Sequence, residues 1–472
     1  MAKYLYGASV QGIQKFIFTT NKLQEIIGAS EIVKSIEKEF EKITKDLHVK
    51  ILMKAAGNIK AVFESYEECQ KVVLEFEKIV MLQAYGITIS QAVVKFETPQ
   101  YTQENINILI ENLKVQRNKP SIPLDLHISI LDQNPKTARP TYAFVKTPDN
   151  KKESIDVASK QKRDAHAIWF NKKRNENEKF KEHKEISALS NGKNKIAVIH
   201  VDGNSLGKLI TNLKMPLSEF SQKLDDATKN AYKKAKTDEM KIKEIILGGD
   251  DLTVICDANI ALEFTKNFLQ NFEDETKNLE GGLTACAGIA YCNEKYPFHY
   301  AVDLAEALCD EAKKHTKQID EIKAPSCLMF HNIQSSTYQS WTKFVEDELI
   351  IRNDKGVIRL DFGPYYLDEP TQPRIKDFIN TVEAYRCEGS PISRLRNWLS
   401  ELDKSKQYAD NLLKRINDVT AQDGKWSCKI MEKNLQFFSK ELSNEKLIIK
   451  KDSHKKTPIY DILQIHSVTE VK

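Results

Sequence analysis

Runs of apolar and polar residues in the middle of the chain predict a regular order of strands and helices. KIAVIHVDGNSLGKLI, residues 195–210, predicts a strand that ends at Asp202, a glycine-containing turn and the start of a helix. A helical stretch rich in Lys and Asp follows, and EIILGGDDLTVICD, residues 244–257, predicts a hairpin. Residues 261–279 have helical periodicity, and residues 283–291, LTACAGIAY, predict a last strand. This βαββαβ order is the ferredoxin-like plan of polymerase and cyclase palms, in which the end of the first strand lies beside the central hairpin.

The N-terminal residues repeat this plan. Residues 3–18 predict a strand and a helix start, 49–65 a hairpin, 66–83 a helix and 86–97 a last strand. Two such copies in one chain predict an α+β protein with two ferredoxin-like palm domains in a pseudo-dimer, so that a homo-oligomer is not required to complete a site.

Superposing AAGNIKAVF of the first copy on LGGDDLTVI of the second suggests which residues were lost. The pairs are Gly57 with Gly249, Asn58 with Asp250, Ile59 with Asp251, and Val10 with Asp202. The first copy thus keeps the turn and loses every carboxylate. If the residues served only the hairpin, the glycine would be needed in both copies and the acids in neither. Three acids kept in one copy are what a metal site requires. Taken alone, Gly-Gly-Asp-Asp is typical of a simple turn, but this pattern of loss favours a metal site.

The three acids suit phosphoryl-transfer chemistry. Mg²⁺ or Mn²⁺ prefers hard oxygen ligands, and two such ions can stabilise the attacking and leaving oxygens of a nucleotidyl transfer. We therefore predict that Asp202, Asp250 and Asp251 are catalytic and bind metal.

Eight further residues are candidates for contact with a nucleotide: Gly203, Asn204, Ser205, Gly248, Gly249, Lys313, Gly57 and Asn58. The run after Asp202 offers main-chain N–H groups at a helix start, although such a run is often only a capped helix. The paired glycines leave room for a nucleotide, and Lys313 could reach a phosphate, although paired lysines on a helix are usually solvated. Gly57 and Asn58 would serve an acceptor nucleotide if the first copy is not merely a structural remnant.

The rest of the chain divides by composition. We predict a first palm over residues 1–98, an inserted basic helical segment over 99–190, a second palm over 191–330 and a mainly helical C-terminal domain over 331–472. In the insertion, KRDAHAIWFNKKRNENEKFKEHK is either a solvated amphipathic helix or a surface for RNA or phosphate. The net charge of +4 does not by itself predict nucleic-acid binding. Scattered cysteines and the lack of a long apolar run predict a cytoplasmic protein without a membrane span.

The palm motifs resemble those of the large palm-domain subunit of type III CRISPR effector complexes, which makes oligoadenylate messengers from ATP. The resemblance is carried by LGGDDLTVI, SVQGIQKFIFTTNKLQEIIGAS, VDGNSLGKLI, CAGIAY and EAKK, and more weakly by TPIYDIL. The hairpin is also similar, more distantly, to that of GGDEF-type nucleotide cyclases. The resemblance implies metal binding by Asp202, Asp250 and Asp251, a triphosphate contact by Lys313, ATP or another NTP as substrate, and CRISPR effector subunits and guide or target RNA as partners.

Two departures from that family change the expected activity. None of the ten histidines is followed by Asp, so we expect no His-Asp nuclease activity. No Cys-x-x-Cys pair is present, so we expect no structural zinc. The favoured function is a nucleotidyltransferase that makes cyclic oligoadenylate in antiviral defence. The alternative is a non-catalytic nucleotide- or RNA-binding scaffold of an RNA-guided complex, and a template-dependent polymerase is disfavoured because no extensive basic channel is present.

Overall fold

The computed structural model describes residues 2–55, 57–119, 130–147, 150–176, 185–210, 213–334, 340–353, 356–386, 390–423, 447–451 and 454–470. The chain forms two compact units. One contains residues 1–188 and 207–226, and the other contains residues 189–206 and 227–472. None of the described helices is long and apolar enough to cross a membrane.

The first palm has the predicted order of elements. It consists of β1 (Lys3–Gln11), α1 (Ile13–Phe18), α2 (Leu23–Thr44), β2 (Val49–Ala55), β3 (Asn58–Phe63), α3 (Tyr66–Gln83) and β4 (Thr88–Phe96). The strands pair antiparallel in the order β2-β3-β1-β4, which is the ferredoxin-like arrangement. Tyr6 of β1, Phe40 of α2 and Phe76 of α3 are fully buried, with ring centroids 5.6 Å apart for Tyr6 and Phe40 and 5.2 Å apart for Phe40 and Phe76. These aromatic contacts hold the two helices on the sheet.

The inserted segment packs on the first palm. Its described elements are α4 (Gln103–Asn118), β5 (Ala143–Lys146), β6 (Lys152–Ile155), α5 (Val157–Glu176) and a 3-10 turn at Ile186–Leu189. Leu109 of α4 is buried with Leu5 of β1 in one apolar cluster. Arg163 of α5 forms ion pairs of 2.7 Å with Glu25 and 3.0 Å with Glu153. Part of the basic stretch that was a candidate RNA surface therefore binds within its own unit, while residues 177–184 lie outside the described residues.

The second palm repeats the same topology. It consists of β7 (Lys195–Gly203), α6 (Leu206–Ile210), α7 (Leu217–Ala235), β8 (Ile242–Gly248), β9 (Asp251–Asp257), α8 (Ala261–Thr276) and β10 (Ala285–Asn293). The strands run in the order β8-β9-β7-β10, and each adjacent pair is antiparallel. The two palm sheets predicted from sequence are therefore both confirmed.

The residues after the second palm contain helices and also strands that the sequence pattern did not predict. The elements are α9 (Phe298–Ile319), β11 (Cys327–Asn332), α10 (Trp341–Phe344), a π-helical turn at Val345–Leu349, β12 (Ile350–Asn353), β13 (Gly356–Arg359), β14 (Tyr365–Tyr366), α11 (Ile375–Ala384), α12 (Ile392–Leu402), α13 (Lys406–Asp423), β15 (Ile449–Lys451), β16 (His454–Lys456) and α14 (Pro458–Val468). β11 pairs parallel with β10, β14 pairs with β11, and the other four strands form a separate sheet in the order β12-β13-β16-β15. The expected boundary after residue 330 falls inside β11, because that strand is buried at every position and shows no polar alternation.

Candidate active site

The Gly-Gly-Asp-Asp sequence forms the tight turn between two neighbouring strands. Gly248, at the end of β8, pairs with Asp251, the first residue of β9, so that Gly249 and Asp250 form the turn. Gly249 has φ of 63°, a left-handed conformation that glycine adopts without steric cost. Thr228 of α7 donates a 2.6 Å hydrogen bond from its hydroxyl to the Gly249 carbonyl. The turn is thus fixed to the adjacent helix, and its two acids are held in place.

Asp202 lies beside this turn because β7 is the direct neighbour of β9. Val201 pairs with Leu252, and the next step along that register sets Asp202 opposite Asp251. One carboxylate oxygen from each of Asp202, Asp250 and Asp251 lies within 4.8 Å of the others. The three partly buried oxygens form a hard-ligand set suited to Mg²⁺ or Mn²⁺.

Burial and mutual repulsion act on the carboxyl groups of this triad. Burial raises the pKa of Asp250, and the carboxylates of Asp251 and Asp202 raise it further. Burial and Asp202 likewise raise the pKa of Asp251, while Lys313 opposes them. Glu306 of α9, which sequence reasoning missed, also raises the pKa of Asp251, and burial brings its own pKa to about 7. The site therefore stores unfavourable negative charge that a bound cation would relieve.

Lys313 is the cation that the protein itself brings to the triad. Its ammonium group, on α9, donates to the Asp202 carboxylate and, over 2.8 Å, to the carbonyl oxygen of Gly203. Burial lowers the pKa of Lys313, but the adjacent Asp202 outweighs burial and raises it. Lys314, by contrast, pairs with Glu311 on the exposed face of the same helix. The structure brings Lys313 into the site, and its contact with a triphosphate stays a prediction.

The run after Asp202 is used mainly for packing. The Asn204 backbone N–H donates to the carbonyl of Thr284 over 2.9 Å, and its side-chain amide donates to the Thr284 hydroxyl and the Ala324 carbonyl. Ser205 has φ of 58° and precedes α6, which is only five residues long. Both donor groups of Asn204 therefore bond within the protein, and phosphate contacts by Gly203, Asn204 and Ser205 stay predictions.

Gly203 has a role that only the structure reveals. A Cβ atom on Gly203 would lie 2.6 Å from Leu206 Cδ1 and 3.0 Å from both Cβ and Oδ2 of Asp250. The missing side chain is what allows Asp250 to approach Asp202. A Cβ atom on Gly207, in contrast, would meet nothing within 4 Å.

We expect Gly203→Ala to lower metal-dependent activity by roughly tenfold or more. The added methyl group would displace the Asp250 side chain, and small displacements of catalytic groups are costly. Gly207→Ala is the matched control and should retain activity, since its methyl group enters open space. Initial rates of nucleotide turnover for the two variants, each checked for folding by circular dichroism, measure the difference. Equal rates in the two variants would contradict the role assigned to Gly203.

Strand pairing shifts the superposition of the two palms by one residue. In the first palm Ala55 pairs with Asn58, which corresponds to the Gly248 to Asp251 pair. The β-bulges agree with this, because each interrupts the pairing just beyond the third residue of the second hairpin strand, at Lys60 and at Thr253. The equivalent pairs are Asn58 with Asp251, Gly57 with Asp250, Ser9 with Asp202 and Val10 with Gly203. The sequence superposition was wrong here because it matched glycine to glycine, whereas the paired positions define the hairpin.

In the corrected register none of the three equivalent positions carries a carboxylate, although the Gly57 backbone N–H donates to the Glu37 carboxylate over 3.3 Å. The Ser9 hydroxyl donates a 2.9 Å hydrogen bond to the side-chain oxygen of Asn58, and Arg117 of α4 donates to the same hydroxyl over 3.3 Å. Gly57 has φ of 76° and packs so closely that a Cβ atom would lie 2.9 Å from Ile13 and 3.0 Å from Val10. A neutral hydrogen-bonded pair with a nearby guanidinium replaces the acidic cluster.

Comparisons with known proteins agree with this architecture. Residues 195–322 match the family model described as Cas10/Cmr2, second palm domain. No curated protein matches the chain at a significant level. A chain of the crystal structure of a Csm1-Csm4 cassette in complex with cA4 matches with a TM-score of 0.53 at 14% identity, over 99% of this chain and 70% of that chain. The cassette with AMPPNP and the cassette with one ATP give the same TM-score, identity and coverage. At this identity the structural matches establish a shared fold.

Proposed function

We propose that this protein is a type III CRISPR large subunit that makes a cyclic oligoadenylate from ATP. Its residues 195–322 match the second palm domain of the Cas10/Cmr2 family. The resemblance to that subunit, predicted from the palm motifs, is confirmed by the family match. The observation that carries the catalytic proposal is the convergence of Asp202, Asp250 and Asp251 in the second palm, with no such acidic cluster among the described residues of the first. In the first palm, a hydrogen bond from Ser9 to Asn58 occupies the equivalent place. That palm keeps the hairpin turn without the carboxylates.

The donor set fits a divalent cation. Three carboxylate oxygens within 4.8 Å of one another suit Mg²⁺ or Mn²⁺, and the raised pKa values of Asp250 and Asp251 indicate negative charge in need of compensation. The cation, when bound, would supply Lewis-acid stabilisation of the α-phosphate and of the leaving pyrophosphate. In the proposed reaction, a ribose hydroxyl oxygen forms a bond to the α-phosphorus, its proton goes to solvent, and the bond to pyrophosphate breaks.

The protein residues around the triad suit the donor triphosphate. Lys313 lies at the edge of the triad and would exchange its contact with Asp202 for a phosphate oxygen when ATP binds. The turn at Gly249 has open space on the side where a Cβ atom would lie, which lets a nucleotide approach its backbone. This open space supports the predicted contact of Gly248 and Gly249 with the triphosphate.

The first palm has the chemistry for the acceptor nucleotide. Asn58 is exposed, and Ser9 and Arg117 lie in hydrogen-bond contact next to it. A neutral amide and a hydroxyl suit ribose or base, and the guanidinium suits a phosphate of the acceptor. We propose that this polar cluster binds the nucleotide whose hydroxyl attacks.

We expect Asn58→Ala to raise the apparent KM for the acceptor about tenfold, since one hydrogen-bonding group is removed, and to leave donor-triphosphate affinity unchanged. The acceptor is supplied as the dinucleotide pppApA, and donor affinity is measured with a non-hydrolysable ATP analogue. Asn21→Ala, outside this cluster, is the control. If Asn58→Ala weakened donor and acceptor binding equally, the proposal that the two palms bind different nucleotides would be wrong.

Incubation of the purified chain with ATP and Mg²⁺ or Mn²⁺, with and without RNA, tests the proposed function. A cyclic or linear oligoadenylate identified by mass, together with pyrophosphate, supports it, and repeating the assay with each other NTP identifies the substrate. A chain that stays inactive after reconstitution with effector subunits and target RNA would support the scaffold alternative instead.

A further inference from the structure

A cavity of about 690 Å³ lies in the second unit, at the end of the palm sheet remote from the triad. Its walls include Lys195 at the start of β7, Asn332 at the end of β11, Arg396 of α12 and Tyr460 of α14. The strand from Lys195 to Asp202 spans about 23 Å at the usual rise per residue. The cavity is therefore separate from the candidate active site, and its volume is in the range of small-ligand sites.

The cavity is positively charged. Its lining contains Lys195 and Arg396 and, among the described residues, no carboxylate. Neither of these two cations forms an ion pair with any residue that the structure describes. Next to the cavity, burial lowers the pKa of Lys193, Arg386 and Arg396 lower it further, and the Glu470 carboxylate opposes them. A cationic pocket of this kind attracts an anion, and a guanidinium and an ammonium that line the same pocket suit a phosphate.

Apolar and aromatic side chains line the remainder of the cavity. Tyr296 and Tyr460 provide two phenol rings, and Leu399 and Leu463 provide aliphatic surface. The lining also contains amide side chains, such as that of Asn293. Rings and aliphatic groups suit the faces of a planar heterocycle, and amides suit its hydrogen-bonding edge.

The cavity wall is fixed by hydrogen bonds within the unit. The Asn332 backbone N–H donates to the Gln464 side chain over 2.8 Å, and the Asn332 amide donates to the Ser467 hydroxyl over 3.2 Å. Lys193 donates to the Thr469 carbonyl over 2.6 Å and so holds the end of α14. A wall that is already ordered costs little additional conformational entropy when a ligand binds.

We propose that this cavity is a second ligand site that binds a nucleoside monophosphate, with the phosphate on Lys195 and Arg396 and the base between Tyr296 and Tyr460. A phosphate and a flat, hydrogen-bonding ring together match the charge, the rings and the amides of the lining. This site is independent of the proposed catalysis and does not need the triad or a divalent cation.

The test uses the full chain with Asp250→Ala, Asp251→Ala and Asn58→Ala in the presence of EDTA, so that neither the triad nor the polar cluster of the first palm contributes nucleotide binding. AMP is titrated by calorimetry, and ribose 5-phosphate is the comparison ligand. Arg396→Gln and Lys195→Gln are made in this background, with Arg394→Gln, on the same helix, as the matched control. Arg396 and Arg394 are both exposed, so neither change removes a core contact.

We expect saturable 1:1 binding of AMP that falls roughly tenfold or more with Arg396→Gln or Lys195→Gln, because each removes a charged phosphate contact. Arg394→Gln should leave the affinity unchanged. Failure of AMP to bind, or affinity that neither cation substitution alters, would overturn the site. Equal affinity for ribose 5-phosphate and AMP would overturn the assignment of the base to the tyrosines.

Discussion

Replacing Asp250 and Asp251 together by Ala should abolish nucleotide turnover, with a loss of at least about 1000-fold, while the chain stays folded. The two side chains lie at a turn whose geometry depends on Gly249 and on the Thr228 hydrogen bond, and neither of those is changed. Product formation by mass, in parallel with circular dichroism, measures both effects. Retained activity in the folded double variant would disprove the metal assignment.

The same carboxylates should destabilise the protein when no divalent cation is present. A carboxyl group whose pKa is raised by folding binds more protons in the native state than in the unfolded state, so its contribution to stability falls as the pH rises from the ordinary carboxyl pKa through the raised value. Asp250 and Asp251 both have raised pKa values. Asp250→Asn should therefore increase the melting temperature in EDTA at neutral pH, and the increase should shrink towards pH 4 or on addition of Mg²⁺.

The second large effect is expected at Asp461 of α14, a residue in the C-terminal sequence TPIYDIL. Its Oδ2 atom accepts hydrogen bonds from the backbone N–H groups of Phe362 and Gly363, over 3.0 and 3.3 Å, and from the Tyr365 hydroxyl over 2.7 Å. Burial raises its pKa to about 7, although these donors oppose the shift. Asp461→Ala would deprive these three buried donors of this partner, at a cost of roughly 1 to 3 kcal/mol each, and would also remove the Oδ1 atom that accepts from the Gln464 amide over 3.3 Å.

We therefore expect Asp461→Ala to lower the free energy of unfolding by at least about 3 kcal/mol. Tyr365→Phe removes one donor and keeps the packing of the ring, so it should cost about 1 kcal/mol. Urea unfolding of the full chain, followed by tryptophan fluorescence, compares the two. A loss for Asp461→Ala no greater than that for Tyr365→Phe would show that this carboxylate does not link α14 to the segment before β14.

The sequence predicted the palms well because their signals are local. The apolar runs on either side of the Gly-Gly-Asp-Asp turn indicated the hairpin, and a strand ending at Asp202 indicated the position of the third acid. The convergence of Asp202, Asp250 and Asp251 followed from the βαββαβ order without knowledge of any side-chain position. Lys313 contacts Asp202 from the helix that follows the last palm strand, which is the position that suggested a phosphate contact from the sequence.

The features that the sequence did not predict depend on strand pairing and on contacts between residues that lie far apart in the chain. The one-residue shift between the palms is visible only from the pairing of Ala55 with Asn58, since the lone glycine of the first turn suggests the wrong alignment. Glu306 is brought to the triad by the packing of α9, and the strands after β10 are too short or too uniformly buried to have a distinctive period. The cationic cavity combines β7, β11, α12 and α14, which lie far apart in the chain.

Binding of Mn²⁺, measured by electron paramagnetic resonance in the presence of a non-hydrolysable ATP analogue, tests the central claim most directly. The wild-type chain should bind the ion, and Asp202→Asn, Asp250→Asn and Asp251→Asn should each weaken binding by about tenfold or more. Asp226→Asn, an exposed carboxylate on α7, should have no effect. Affinity that is the same in the three triad variants and the control would contradict the assignment of the metal site to these residues.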